Sequence, residues 1–379
     1  MTEHDARDIH AWSGSVHAMA KHLELAGATL EFVDRVRSPI RHLLRAKQFA
    51  YRRLFAKEYQ AGRDPLVVQD HARRVRKALQ TIEHDVVLSP GTIPVAHLKG
   101  GKPVVTWTDA TFDGMVGFYE EFSNLPRETL RHGHALEQAA LDNCALAIYT
   151  SQWAADTARR HYSVDALKLA VVPFGANVGV ERTASQVSAY VAARQGATCR
   201  LLFVGVDWHR KGGGVALAVV EHLRAAGVAA ELHVVGCTPP QSLPAHVIVH
   251  GFVSKHTADG RARLEDLYSG SHFLILPTRA DCVPVVLAEA SSYGLPSLAT
   301  RVGGVSSALR EGLNGYTFDL DEDPWAYAAR IRALLEEPDA YRRLCTSAFQ
   351  EYATRLNWTA SAREVLSLIR ERCLRPAQG

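Results

Sequence analysis

Residues 272–304, HFLILPTRADCVPVVLAEASSYGLPSLATRVGG, decide how the chain folds. The apolar run 272–276 has turn-type residues on both sides, which predicts a buried strand. Pro277 ends it, and a loop with one acid, Asp281, follows. Pro284 stands where a helix can begin, because a first turn does not need its missing N–H. Residues 285–293 predict that helix, with Gly294 at its C-terminal cap and Pro296 forbidding its continuation. Residues 297–300 predict the next buried strand, closed by Gly303-Gly304. Strand, loop, helix and strand in that order predict an α/β fold with a parallel sheet. Ligands of such sheets bind beyond the C-terminal strand ends. Asp281 and Glu289 fall there, one in the loop and one in the first turns of the helix.

The same alternation extends outward. Strands are predicted at 199–205, 231–236, 247–250 and 315–318, with helices at 215–225, 264–269, 324–336, 341–352 and 358–373. The first half gives strands at 29–33, 85–88, 103–107, 146–150 and 169–172. Its helices are expected at 16–25, 70–79, 137–144 and 151–162. Residues 1–10 are polar and predict no strand. Residues 39–59 form a basic amphipathic helix in which Arg41, Arg45, Lys47, Arg52, Arg53 and Lys57 interleave with Leu43, Leu44, Phe49, Leu54 and Phe55. Its first reading is a surface helix packing one face on the sheet. Its second is a surface for anionic lipid or an anionic acceptor. Residues 179–198 are polar and Ala-rich and predict a linker with a connecting helix.

A length of 379 residues predicts two domains. With 47% hydrophobic and 22% charged residues, the balance is that of an ordinary globular protein. A net charge of +3 is too weak a bias to imply nucleic acid. The 6 cysteines are scattered without paired spacing and read as reduced packing residues. There is no signal-peptide pattern and no apolar run long enough to span a bilayer. A cytoplasmic location is expected, or a peripheral one on the inner membrane face.

Asp281, seven residues and Glu289 resemble the Glu-x7-Glu motif of retaining glycosyltransferases of family 4, which have the GT-B fold. Leu276-Pro277-Thr278, Glu289-Ala290, Gly294-Leu295-Pro296 and Gly303-Gly304 also fall where that family places them. The departures are Asp281 for the usual Glu and Val283-Pro284 for the usual Phe-Gly. The resemblance implies two Rossmann-like, doubly wound parallel-sheet domains facing a cleft, with a C-terminal helix crossing back to the first. The expected boundaries are an acceptor-binding domain at 1–180, a linker at 181–198, a nucleotide-sugar-binding domain at 199–357 and a crossover helix with tail at 358–379. A family chain begins with a buried strand, which the polar start lacks.

The resemblance implies transfer from a nucleotide-diphospho-sugar, a UDP- or GDP-sugar, to a hydroxyl acceptor with retention. No metal or cofactor is expected. As the sugar departs, negative charge grows on the diphosphate, so the site needs fixed positive charge and N–H groups aimed there. The loop Val206-Asp207-Trp208-His209-Arg210-Lys211-Gly212-Gly213-Gly214, before a helix, offers both. It is not a Walker loop, because Lys211 precedes Gly rather than Ser or Thr. Val206 stands where the family usually has an Arg, and Arg210 is the candidate replacement. Glu289 is expected to accept from the ribose hydroxyls and Asp281 from the donor sugar. Val283, Val285 and Gly236 complete the donor set, and the base is placed near Phe252 and Val253, with a core role the alternative for Phe252. Because Pro284 has no N–H, Val285 and its neighbours are expected to supply the amides at that helix start. Asp109 is a candidate for a sugar hydroxyl, while Thr108 replaces the family's His at this strand end. Gly14 and Ser15 are expected on the acceptor side.

Other readings attach to the same residues. Asp281 and Glu289 as a hydrolase pair are disfavoured by the phosphate-type loop. A nucleotide-sugar 2-epimerase, a glycogen-type synthase or a non-catalytic sugar-nucleotide-binding scaffold are the alternatives. Asp319, Asp321 and Asp323 look like a metal set but are read as capping the helix after Pro324. His132 and His134 are read as surface residues.

Overall fold

A computed structural model of the chain describes residues 7, 11–33, 38–194, 198–240 and 243–374. It divides into two units, Met1–Pro173 with Trp358–Gly379, and Phe174–Asn357.

In the first unit β1 (Val87–Ser89), β2 (Val104–Thr108), β3 (Leu146–Tyr149) and β4 (Leu169–Val171) form a parallel sheet in that order. Every residue of β2 and β3 is buried, as a strand covered on both faces requires. The helix Trp358–Ile369 belongs to this unit, as the crossover expectation has it. Its Trp358 ring meets Trp107 of β2 edge-on at 5.8 Å, and His22 shares a hydrogen bond with Thr359.

Two expectations for this unit need correcting. Residues 29–33 are not a strand: among the described residues they join no sheet, and Val33 instead packs among Val68, Val75 and Leu136. Most of residues 1–10 lie outside the described residues. The basic stretch 39–59 is two helices, Ile40–Leu43 and Arg45–Phe55, and neither buries a single residue. The core that could have received them is filled from the helices Pro65–Leu79 and Arg127–Asn143, which contribute Val68, Val75, Leu136 and Ala140.

The second unit carries β5 (Cys199–Val204), β6 (Ala230–Val235), β7 (Val247–Gly251), β8 (Phe273–Leu276), β9 (Ser297–Thr300) and β10 (Gly315–Phe318). All pair in parallel, in the order β10-β9-β8-β5-β6-β7. Successive side chains along a strand point to opposite faces. Leu201, Phe203, Phe273 and Ile275 pack with Val219, Val220 and Ile331, while Leu202, Leu274 and Leu276 pack with Leu267, Leu287 and Ala290. Both faces are therefore covered by helices. The chain leaves β5 in one direction along the sheet for β6 and in the other for β8, so the topological switch point lies between β5 and β8.

Residues 181–198 include the connecting helix that the sequence predicts, although residues 195–197 lie outside the described residues. This helix, Ala184–Ala193, belongs to the second unit. It delivers Arg194 to a site only 5% exposed. There the guanidinium donates to the carbonyls of Ser269, Gly294 and Tyr293 at 2.8–2.9 Å. A buried cation is thus neutralised by the C-terminal carbonyls of two helices, Ala258–Gly270 and Val285–Ser292, where the helix dipole is negative. Those helices carry Tyr268 and Glu289.

His272 enters β8 with both ring nitrogens engaged. Nε2 faces the Arg194 carbonyl oxygen at 2.7 Å, and Nδ1 accepts from the Arg200 N–H at 3.1 Å. Burial holds the imidazole neutral and its pKa below the ordinary 6.5. The unfolded chain takes up this proton as pH falls through 6.5 and the fold resists it, so stability is full above that value and declines below it. The melting temperature should fall between about pH 7 and about pH 5.5. In His272→Gln the slope should be shallower, not absent, because His233 and His250 are depressed in the same direction.

Candidate active site

The loop after β5 is shaped by its glycines. Gly212 has φ +81° and caps the helix Gly213–Ala225, and a Cβ there would stand 1.9 Å from the Pro277 carbonyl oxygen at the end of β8. At Gly213 a Cβ would enter the buried Trp208 ring. The turn closes on Asp207, whose Oδ1 accepts from the Arg210 N–H at 2.9 Å. Arg210 then ties this loop to the one after β8. Its guanidinium donates to the Ala280 carbonyl at 2.8 Å, and its own carbonyl accepts from the Arg279 N–H at 2.8 Å. It therefore positions the loops, a use that its sequence position does not reveal.

This fastening brings the Lys211 ammonium onto the Asp281 carboxylate as a hydrogen-bonded ion pair. The side chains are 12% and 7% exposed, so the pair is poorly screened by water. It stands at the adjoining ends of β5 and β8, the switch point where doubly wound sheets take ligands. The backbone contributes less than the glycines suggest. The N–H groups of Lys211, Gly212 and Gly213 donate to Asp207, His209 and Trp208 within the turn. That leaves the Gly214 N–H at the exposed first turn of the helix.

Glu289, on the helix Val285–Ser292, is 2% exposed. Lys255 donates to one carboxylate oxygen, and the Tyr268 hydroxyl to the other at 3.0 Å. Burial, reinforced by Glu289, pushes the Tyr268 phenol far above its usual pKa, so it remains a donor. The Tyr268 ring stacks on Tyr293 at 4.9 Å. Neither Lys255 nor Tyr268 was among the expected site residues. The signals available were a lone Lys after Phe252-Val253-Ser254 and a Tyr at helical spacing from Leu264, neither of which names its partner.

The other expected residues fall as follows. The Val285 N–H donates to the Val283 carbonyl at 2.9 Å, so Val285 does not supply an amide at that helix start as expected. The turn at Pro284 folds back and uses it. Val253 is half-buried, while Phe252 is 77% exposed and is not a core residue. Gly236 has φ +99°, and a Cβ there would meet the Gly205 carbonyl oxygen at 2.7 Å, so the loops after β5 and β6 touch. The remaining candidates belong to the first unit. Thr108 ends β2 and is buried, with Asp109 next to it. Gly14, at φ +87°, precedes the helix Ser15–Leu25, and the Ser15 side chain is buried.

Asp323 caps the helix Pro324–Glu336 by accepting from the Trp325 N–H at 2.8 Å, and Asp319 pairs with Arg301 at 3.1 Å. Asp64, Glu128 and His132 of the first unit lie close enough to share an ion. Lys47 already puts its ammonium between the two carboxylates, 3.8 Å from Asp64 and 2.6 Å from Glu128.

A family model described as glycosyl transferases group 1 matches residues 198–337, and one described as glycosyltransferase family 4 matches residues 14–180. A D-inositol 3-phosphate glycosyltransferase of Nocardiopsis dassonvillei is 30% identical over 171 residues, 45% of this chain and 34% of that protein. The chain thus spans about a third of that relative's length. A glycosyltransferase structure from Rickettsia africae aligns with a TM-score of 0.66 at 13% identity, covering 95% of each chain. HepE of Anabaena in complex with UDP-glucose aligns with a TM-score of 0.57 at 15% identity, covering 79% of this chain and 82% of that one. At these identities the structural likeness is one of fold.

Proposed function

This chain belongs to the GT-B glycosyltransferases of the group 1 and family 4 type, and from that premise we propose that it moves a sugar from a nucleotide-diphospho-sugar to a hydroxyl acceptor with retention of configuration. The observation that carries the reading is the Lys211–Asp281 pair at the switch point, with the Glu289 carboxylate on the next helix. The two ionic groups have complementary uses. A diphosphate draws the Lys211 ammonium to itself, because two phosphate groups carry more charge than one carboxylate. Asp281 is then released to accept from hydroxyls of the donor sugar. As the bond to the sugar breaks, charge grows on the leaving oxygen where Lys211 stands, which lowers the barrier more than it stabilises the bound donor.

Glu289 accepts from the ribose hydroxyls, with Lys255 and Tyr268 fixing its orientation. The exposed Phe252 ring and Val253 form the platform for the base. Asp109, Thr108, Gly14 and Ser15 serve the acceptor. No side-chain nucleophile is assigned, and a leaving phosphate oxygen takes the acceptor proton. UDP-sugars are the first donors to try, since a neighbour in fold is described with UDP-glucose.

The test is a thermal-shift screen with UDP, GDP and ADP and their sugars, followed by product analysis. A true ligand at about a hundred times its Kd stabilises the fold by ~2.7 kcal/mol. We expect one nucleoside diphosphate to raise the melting temperature, and the product to keep the donor's anomeric configuration. No shift with any of them would remove the donor site, and an epimer formed from donor alone would replace transfer with epimerisation.

A further inference from the structure

The helix Arg45–Phe55 is joined to its unit by polar contacts along one side. Lys47 and the Tyr51 hydroxyl both donate to Glu128, at 2.6 and 3.0 Å, and Gln48 donates to the Tyr59 carbonyl at 3.1 Å. Tyr51 also stacks on Tyr59 at 5.3 Å. The opposite side points outward. Arg45, Phe49, Arg52 and Arg53 are spaced i, i+4, i+7 and i+8, which puts them on one helical face. Phe49 is 69% exposed within a frame of three arginines. Leu54 and Phe55 are also exposed, at 72% and 63%, on the flanks of the inward side, with the Phe55 ring 5.8 Å from Tyr51, and Leu43 of the preceding helix is 78% exposed. Such a set of large apolar side chains left in water on a surface element marks a contact surface.

Charge says what the contact is. From Pro39 to Lys57 the sequence contains no acidic residue. Arg52 is paired with Glu58 and Lys47 with Glu128, whereas Arg41, Arg45 and Arg53 pair with no carboxylate among the described residues. A protein partner could match the apolar groups or the charges. A bilayer with anionic headgroups matches both at once: arginines at the phosphate level, Phe and Leu below them, and the helix lying in the plane of the interface. Among the described residues no helix is long and apolar enough to cross a membrane, so the contact is along the surface.

We propose that the outward face of residues 41–55 docks this chain on an anionic lipid surface. The proposal is independent of the transfer reaction, since it rests on the first unit's exposed face and not on Lys211 or Glu289.

The test is flotation of the full chain with vesicles of phosphatidylcholine alone, or with about a third phosphatidylglycerol, at low and at physiological salt. The chain should float with the anionic vesicles only, and less at the higher salt. Arg45→Gln with Arg53→Gln should lower binding by about fivefold for each arginine, and Phe49→Ser should lower it further, with unchanged melting temperature. Lys99→Gln with Lys102→Gln removes the same charge from exposed positions elsewhere and should leave binding intact. The proposal is overturned if the anionic vesicles fail to float the chain, or if the control pair weakens binding as much as the helix pair. It is equally overturned if Phe49→Ser is neutral while soluble dextran sulfate displaces the vesicles, since that marks a site for polyanions and not for membrane.

Discussion

Lys211→Ala lowers kcat/KM for the nucleotide-sugar donor by about a hundred- to a thousandfold, the usual loss when one group facing the developing charge is removed. Two effects combine. The leaving diphosphate loses its cation, and the buried Asp281 loses its partner, so an uncompensated carboxylate stands where an anion must enter. The second effect also costs stability, which has to be separated from the first. Pairing Lys211→Ala with Asp281→Asn should restore much of the melting temperature and none of the activity. Lys211→Arg keeps the charge and should retain more activity than Ala, though with altered geometry. Steady-state kinetics with the best donor, alongside circular dichroism, reads all three. Full activity in Lys211→Ala would end the assignment.

Glu289→Gln produces a different pattern. The carboxylate takes one donor on each oxygen, Lys255 and Tyr268, and has lone pairs left for ribose hydroxyls. Glutamine has one acceptor oxygen and an amide that donates, so it meets two fixed donors with one acceptor. Charged hydrogen bonds of this kind contribute about 1.5–3 kcal/mol each, so the donor's kcat/KM should fall by about a hundredfold or more. The loss should depend on the nucleoside. Calorimetric titration of the variant should show weakened binding of the nucleoside diphosphate and unchanged binding of inorganic pyrophosphate, whereas Lys211→Ala should weaken both. Equal losses for the two ligands in Glu289→Gln would place Glu289 outside the ribose subsite.

The second unit is largely legible in the sequence because its signals are local. Pro324 at the first turn and Asp323 as cap fix the start of the helix Pro324–Glu336, and β9 and β10 begin and end where the apolar runs do. The Asp281 loop and the Lys211 loop are each legible separately, from the flanking strand and helix. That they meet is a consequence of strand order, since β5 and β8 are neighbours although 68 residues lie between Val204 and Phe273. Lys255, Tyr268 and Arg194 act through partners distant in sequence. A polar, Ala-rich run gives no hint that one of its arginines is buried among helix ends. Residues 29–33 are illegible for the complementary reason: a short apolar run fits a strand or a packed loop equally well, and only a pairing partner decides. For the basic helix, amphipathicity announces an apolar face but not whether protein covers it.

The most direct test of the central claim is a crystal structure grown with UDP, or with whichever nucleoside diphosphate gives the largest thermal shift. The account predicts the diphosphate between the Gly214 amide and Lys211, the ammonium drawn from Asp281 toward a phosphate oxygen, and the ribose hydroxyls on Glu289. A nucleotide bound elsewhere, with the Lys211–Asp281 pair closed and Glu289 untouched, would contradict it.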